Sequence, residues 1–144
     1  VIPVVRALAG RGAAVSIDSR HPAVMVAALK AGARIINDVT GLADPETRRI
    51  VRDSGAFAVI MHMQGEPGSM QAAPHYADCL GEVYDWLAAR VALCEAEGIA
   101  RQKIAIDPGI GFGKSLDHNL ALLQGRGDAI GEQGSGIFRF GADA

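Results

Sequence analysis

One pattern recurs four times along this chain and restricts the folds that the chain can adopt. In each repeat a helical segment leads to a glycine, then to a short apolar run, then to a polar residue; the four instances are ALAGRGAAVSID, ALKAGARIIND, VRDSGAFAVIMH and CEAEGIARQKIAID. Glycine readily takes the left-handed conformation that closes a helix, and an apolar run after it is typical of a strand buried on both faces. The pattern therefore predicts four parallel strands that alternate with helices.

Several residues mark where these helices begin and which side they bury. Pro22 follows His21 and Pro45 follows Asp44, and proline in the first turn after a capping residue is typical of a helix start. The longest predicted helix covers about residues 76–97. Its apolar side chains recur at steps of three and four, which predicts a stripe packed against the sheet: Leu80, Val83, Leu87, Val91 and Cys94.

The number of strands leaves two architectures open. A closed (β/α)₈ barrel needs eight strands and about 250 residues, whereas this chain has 144 residues. The pattern therefore fits either an open doubly wound sheet or a partial barrel of about four βα units that does not close by itself. Residues 124–144 are rich in glycine, and we expect a poorly ordered tail there.

Composition excludes several classes of protein. With 49% hydrophobic and 21% charged residues and a net charge of −2, the chain is typical of one globular domain. The 14 basic residues are scattered, which argues against a nucleic-acid partner. No apolar run approaches the ~20 residues of a membrane span, so we expect a cytoplasmic protein. Cys79 and Cys94 are expected to be free thiols, and the histidines show no metal-ligand spacing.

The segment IAIDPGIGFGKSLDHN, residues 104–119, invites comparison with a nucleotide phosphate loop. That signature needs a glycine at the position of Pro108, where a proline provides no amide for a phosphate. The preceding Asp107 would also repel a triphosphate. A nucleotide-binding module that uses residues 109–115 stays an alternative, with Lys114 as its phosphate ligand.

Polar or polarizable residues follow each predicted strand. They are Asp18, Asn37 with Asp38, Met61 with His62, and Asp107. In parallel α/β folds, ligands bind at the carboxyl ends of the strands, so these residues are the candidates for a site.

Four segments, in order, resemble the dihydropteroate synthase family over about residues 1–123. They are SIDS (16–19), AGARIINDVTGL (31–42), VIMHMQGEPGSMQ (59–71) and DPGIGFGKSLDHN (107–119). The resemblance implies a (β/α)₈ barrel that joins 6-hydroxymethyl-7,8-dihydropterin pyrophosphate to p-aminobenzoate and releases pyrophosphate in folate biosynthesis. Methyltetrahydrofolate-binding methyltransferase barrels are an alternative, but they are not expected to carry MHMQG and DPGIGFGK together.

The resemblance also implies a pterin-binding set of residues. A pterin presents a 2-amino group beside a ring N–H, and a carboxylate can accept from both. Asp107 is expected to accept these two hydrogen bonds, and amide and carboxylate groups are expected beside it. The remaining residues would form an apolar wall for the ring and a loop whose backbone approaches the ring closely. The set consists of Asp18, Asn37, Val39, Met61, Asp107, Gly111 and Phe112.

Several of these residues, and some of their neighbours, also have a purely structural interpretation. Asp18 could cap the next helix, Asn37 and Asp38 could form an Asx turn, and Met61 could be core. His62 is expected to be structural because no orienting partner stands near it in the sequence. Lys114 could serve only to neutralise the loop.

The family carries further groups that this sequence does not match. They include an Asn ligand for Mg²⁺ before the first matching segment, then a Ser-Arg-Lys segment and an Arg-x-His anion site after the last. We therefore expect a fragment with impaired or no activity and no metal ligand of its own. The resemblance implies Mg²⁺ and the two small-molecule substrates, and family members are commonly homodimers.

Overall fold

The computed structural model describes residues 1–66 and 68–130 of the chain, with side chains described as far as Gln124. Helices and strands alternate along it. In chain order the elements are α1 (Ile2–Gly10), β1 (Ser16–Asp18), α2 (Pro22–Lys30), β2 (Ile35–Asp38), α3 (Pro45–Ser54), β3 (Phe57–Met61), α4 (Cys79–Ala96), a 3₁₀ turn (Arg101–Lys103), β4 (Ile104–Asp107) and α5 (Leu116–Ile130).

The four strands form one parallel sheet in the order β1-β2-β3-β4. A doubly wound sheet reverses its strand order at a switch point, whereas a barrel adds each strand beside the previous one. The strictly sequential order confirms the prediction of a partial barrel with four βα units. Within the described residues β1 and β4 each pair on one side only, so the sheet is open.

Local sequence signals place α3 as predicted. The carboxylate of Asp44 accepts a hydrogen bond from the Glu46 amide at 2.8 Å and caps the first turn. Gly55 ends the helix with φ of 66°, a left-handed conformation that glycine adopts without strain. The helix therefore stops where the chain must turn back into β3. α2 likewise begins at Pro22, after His21.

The long helix α4 lies within the predicted range, and four of its five predicted core positions are buried: Val83, Leu87, Val91 and Cys94. The prediction was wrong for Leu80, which is 41% exposed. Cys79 stands four residues before Val83 and takes the buried position at the start of the stripe instead. Both cysteines are buried free thiols, as predicted.

The two faces of the sheet differ sharply. Residues that alternate along the strands, such as Ile17, Ile36 and Ile60, are buried under the helices on what we term the outer face. The opposite, inner face carries Ser16, Ile35 and Phe57, and Phe57 is 45% exposed. The expectation that the strands are buried on both faces is therefore wrong, because no second layer of the described residues covers the inner face.

The boundary expected at residue 123 falls inside α5, which continues to Ile130. Gly125 and Gly127 lower helix stability by about 1 kcal/mol each but do not end the helix. The rest of the expected tail, residues 131–144, lies outside the described residues. None of the described helices has the length and apolar character needed to cross a membrane.

Candidate functional site

Of the six predicted strand-end residues, Asp18, Asn37, Met61 and Asp107 share one face of the sheet. Asp18 pairs with Asn37 across β1 and β2, and Met61 pairs with Asp107 across β3 and β4. Asn37 pairs in turn with Val59, two residues before Met61. Paired residues of parallel strands, and residues two apart along one strand, point to the same side. All four side chains therefore lie on the inner face, at the carboxyl edge of the sheet.

Asp18 and Asn37 contact each other directly. The amide nitrogen Nδ2 of Asn37 donates to Oδ2 of Asp18 at 3.0 Å, which turns the amide oxygen of Asn37 away from the carboxylate. Asp18 does not cap α2: the N-cap is His21, whose backbone amide donates to Ser19 Oγ at 3.1 Å. The pair thus presents both acceptors and donors on the inner face.

Asp107 is held by the turn that follows it. Its Oδ1 accepts from the Gly109 amide at 2.8 Å, and its carbonyl oxygen accepts from the His62 amide at 2.9 Å. A carboxylate has about four lone-pair sites, so one internal hydrogen bond leaves capacity for a ligand. The side chain is half-buried, and the turn fixes its direction while leaving acceptor positions of the carboxylate available.

The loop between β4 and α5 packs directly on the chain that follows β3. Gly109 and Gly113 have φ of 68° and 62°, and a methyl group on either would overlap a main-chain oxygen, that of His62 or of Gln64. No side chain can stand between the two segments. Gly111, with φ of 83°, faces open space instead.

The start of α5 anchors the open part of this loop. Ser115 Oγ accepts from the His118 amide at 3.2 Å, as an N-cap side chain does. Asn119 donates through Nδ2 to the Ser115 carbonyl at 2.8 Å and accepts through Oδ1 from the Gly111 amide at 2.9 Å. Gly111 is thereby tied to the helix one turn further along.

Lys114 points into the protein and is only 3% exposed. Its Nζ lies 3.0 Å from His62 Nδ1 and donates to the carbonyl oxygens of Phe112 at 2.9 Å and His62 at 3.4 Å. Burial lowers the pKa of Lys114 to about 8, and the electrostatic influence of nearby Cys79 and Asp107 opposes that shift.

His62 is buried beside this lysine and makes an edge-on contact with Trp86, with ring centres 5.2 Å apart. Burial lowers the pKa of His62 to about 4, and the positive charge of Lys114 acts in the same direction. The imidazole is therefore neutral at physiological pH, and Nδ1 can accept from Lys114. Sequence reasoning missed this partner, because it stands 52 residues away in the chain.

These contacts argue against a phosphate cradle. In such a loop the lysine and several backbone amides point at the phosphates. Here Lys114 is turned inward, and the amides of Gly109, Gly111 and Phe112 already donate within the protein. The nucleotide-binding alternative loses the donors on which it depends.

Val39 and Met61 border a cavity of about 240 Å³ near the same edge of the sheet, together with Thr40, Met63 and Trp86 among others. Met61 is 3% exposed, so it is also part of the packed interior. The cavity lining does not include Asp18, Asn37 or Asp107. Within the predicted set, Asp18, Asn37 and Asp107 therefore form a polar group on the inner face, and Val39 and Met61 border the cavity.

Asp38, next to Asn37 in the chain, lies on the outer face and is fully buried. Its Oδ1 accepts from the amide and the hydroxyl of Thr40, at 2.8 Å and 2.7 Å, while Oδ2 has no hydrogen-bond partner among the described residues. The Asx-turn interpretation thus applies to Asp38 and not to Asn37. The turn orders Val39 and Thr40 at the border of the cavity.

Two side chains that sequence reasoning did not select also hold the β4–α5 loop. The Tyr76 hydroxyl donates to the Gly113 carbonyl at 2.9 Å, and Gln71 Nε2 donates to the Gly111 carbonyl. Both belong to the long connection between β3 and α4. Within residues 1–66 and 68–130, no three His, Cys, Asp or Glu side chains come together as a metal site would require.

Comparison with known proteins gives a consistent result. The family model described as "Pterin binding enzyme" matches residues 1–129. The dihydropteroate synthase of Escherichia coli (strain K12) is 44% identical over 124 residues, which are 85% of this chain and 44% of that protein. That of Neisseria meningitidis serogroup C is 43% identical over 136 residues, or 93% of this chain and 48% of that protein.

Solved structures agree with the observed fold. Dihydropteroate synthase from Thermus thermophilus in complex with 6HMPPP aligns with a TM-score of 0.82 and 42% identity, over 86% of this chain and 49% of that one. The Burkholderia cenocepacia enzyme complexed with 7,8-dihydropteroate aligns with a TM-score of 0.78 and 47% identity, over 85% of this chain and 45% of that one. The chain spans a little under half the length of these relatives.

Proposed function

Since this chain belongs to the family of pterin binding enzymes, we propose that it forms the pterin-recognition part of a dihydropteroate synthase. The substrates of that reaction are 6-hydroxymethyl-7,8-dihydropterin pyrophosphate and p-aminobenzoate. The observation that carries the proposal is the placement of Asp18, Asn37 and Asp107 on the inner face, at the ends of three strands. The solved relatives bound to 6HMPPP and to 7,8-dihydropteroate support the choice of ligand.

The chemistry of these side chains suits a pterin edge. An ionised carboxylate only accepts hydrogen bonds, and the 2-amino group and adjacent ring N–H of a pterin only donate. Asp107 would accept from both, while the Asn37 amide offers an acceptor and a donor to the neighbouring ring atoms. Val39, Met61 and Phe112 would give the ring an apolar wall, and Gly111 would let the loop backbone come close.

The same carboxylates can assist the transfer. In the reaction the methylene carbon loses its bond to the pyrophosphate oxygen, which leaves with the electron pair, and the arylamine nitrogen forms a bond to that carbon and releases a proton. Positive charge develops on the pterin methylene as pyrophosphate departs. Asp18 and Asp107, held near the ring, would stabilise that charge without acting as nucleophiles.

We further propose that the 144-residue chain by itself does not catalyse the transfer. The sequence contains neither a Ser-Arg-Lys nor an Arg-x-His segment, and Lys114 is turned inward. Mg²⁺, which the family resemblance implies, takes octahedral oxygen ligands, and within the described residues no three His, Cys, Asp or Glu side chains come together to supply them. No step is therefore assigned to a metal, and homodimer formation and a cytoplasmic location stay predictions.

The test is to titrate the purified chain with 6-hydroxymethylpterin by calorimetry. We expect saturable binding that Asp107→Asn weakens roughly tenfold to a hundredfold, as for comparable base-edge contacts of 1–3 kcal/mol. Asp85→Asn is the matched control, because Asp85 is exposed on α4. Absence of binding, or equal weakening by both substitutions, would contradict the proposal. Saturable binding of ATP with Mg²⁺ would favour the nucleotide alternative, and dihydropteroate formation would refute the claim of inactivity.

A further inference from the structure

Lys114 is a charged residue that the proposed transfer does not use, and yet all its donors are engaged. An ammonium group has three N–H donors. They face three acceptors, namely the Phe112 carbonyl at 2.9 Å, His62 Nδ1 at 3.0 Å and the His62 carbonyl at 3.4 Å. With 3% exposure, the side chain is closed off from solvent.

These acceptors belong to two different segments. The Phe112 carbonyl is in the β4–α5 loop, while His62 directly follows β3. Lys114 therefore ties the loop to the end of the neighbouring strand. Tyr76 adds a second tie through its hydroxyl bond to the Gly113 carbonyl at 2.9 Å. Both ties are buried, whereas Gly111 in the middle of the loop is exposed.

The tied loop carries the residues to which a pterin contact is ascribed. Phe112 is held through its own carbonyl, and Asp107 lies at the start of the same turn, bonded to the Gly109 amide. A loop that has glycines at 109, 111 and 113 has few side-chain constraints of its own. Contacts with other segments, the hydrogen bonds of Lys114 and Tyr76 among them, therefore fix its path.

We propose that Lys114 is a positioning residue for the pterin site. From the interior it holds the 109–113 backbone against His62, so that Phe112 and Asp107 keep the geometry that receives the ring. This inference rests on the proposed function, since it assigns Lys114 a role in that site. Lys114 itself does not touch the ligand.

The first experiment compares Lys114→Met with Lys103→Met. The second substitution is the matched control, since Lys103 precedes β4 at the far end of the strand and lies 4.0 Å over the Phe57 ring. Hydrogen exchange of amides 109–113 is measured without ligand, with amides 39–42 as internal reference. Affinity for 6-hydroxymethylpterin is measured by calorimetry. Only Lys114→Met is expected to speed amide exchange in the loop and to weaken the affinity for the pterin. The expected weakening is roughly tenfold, which corresponds to the loss of one charge-assisted hydrogen bond.

A second pair of variants separates positioning from packing and retains Lys114. His62→Gln keeps an acceptor for Nζ, whereas His62→Leu keeps apolar bulk without one. We expect His62→Gln to preserve the protection of the loop amides from exchange and the affinity for the pterin. His62→Leu should reduce both the protection and the affinity roughly tenfold. A role in packing alone would reverse that order, because leucine fits an apolar surrounding better than glutamine.

The outcomes separate the two proposals. If the wild-type chain binds no pterin, the proposed function fails and the inference falls with it. If the wild type binds, the inference alone fails when Lys114→Met retains full affinity or leaves exchange of the loop unchanged. It also fails when His62→Leu performs as well as His62→Gln. If Lys114→Met does not fold, the comparison of His62→Gln with His62→Leu decides whether Lys114 positions the loop.

Discussion

Acidification should destabilise this fold through the single buried histidine among the described residues, His62. Its pKa is lowered from 6.5 to about 4, by burial first and then by the charge of Lys114. Below pH 6.5 the unfolded chain therefore binds a proton at this site that the folded chain does not take up until the pH approaches 4. The stabilisation is fully present above pH 6.5 and is lost as the pH falls through that window.

The size of the effect follows from the two pKa values. At pH 4.5 an unfolded histidine is almost fully protonated, whereas about a quarter of the folded molecules carry the proton. Linkage then gives a loss of roughly 2.5 kcal/mol in the free energy of unfolding relative to neutral pH. Because His62 is 6% exposed, solvent screening removes little of that loss.

The assay is urea unfolding at pH 7 and pH 4.5 for the wild type, His62→Gln and His75→Gln. Carboxylates also titrate in this range, so the informative quantity is the difference between variants in their loss of stability. We expect His62→Gln to lose roughly 2.5 kcal/mol less than the wild type, and His75→Gln, at an exposed site, to follow the wild type. A difference below about 0.5 kcal/mol between His62→Gln and the wild type would refute the reasoning.

Two further substitution pairs test the packing. Gly109→Ala should lower the free energy of unfolding by roughly 3 kcal/mol or more, because the added methyl group overlaps main-chain atoms. Gly55→Ala is the control: Gly55 has a similar φ but faces open space, so the loss should be about 1 kcal/mol. Equal losses for the two variants in urea unfolding would contradict this account. Arg48→Met should cost about 3 kcal/mol in thermal or urea unfolding, because the buried guanidinium bonds Glu97 at 2.8 Å and two carbonyls. Arg49 makes only exposed ion pairs, so Arg49→Met should change the free energy of unfolding by no more than about 0.5 kcal/mol. Similar losses for both variants would contradict the stabilising role given to the buried Arg48 contacts.

Sequence reasoning succeeded where the cause is local. Asp44 and Gly55 predicted both ends of α3, because a cap and a left-handed turn involve only nearby residues. The repeat of helix, glycine and apolar run predicted the parallel sheet. The two-residue period of strands then places Asp18, Asn37 and Asp107 on one face, although their binding role is still a prediction.

Sequence reasoning failed where the interacting residues are distant in the chain. Lys114 follows a glycine-rich turn, which suggested a phosphate ligand or a charge that neutralises the loop, and its partner His62 follows a different strand. The burial of both strand faces was expected from apolar character alone, but that character does not say whether a second layer is present. Leu80 matched the helical period, yet the neighbouring Cys79 took the buried position.

The packing of Gly109 and Gly113 on the main chain after β3 has a consequence for how this site can evolve. Because main chain meets main chain there, this contact does not depend on which side chains stand at positions 63 and 64. A residue inserted or deleted between His62 and Gly65, however, would displace the backbone that both glycines touch. We therefore expect the length of this segment to stay constant among natural relatives.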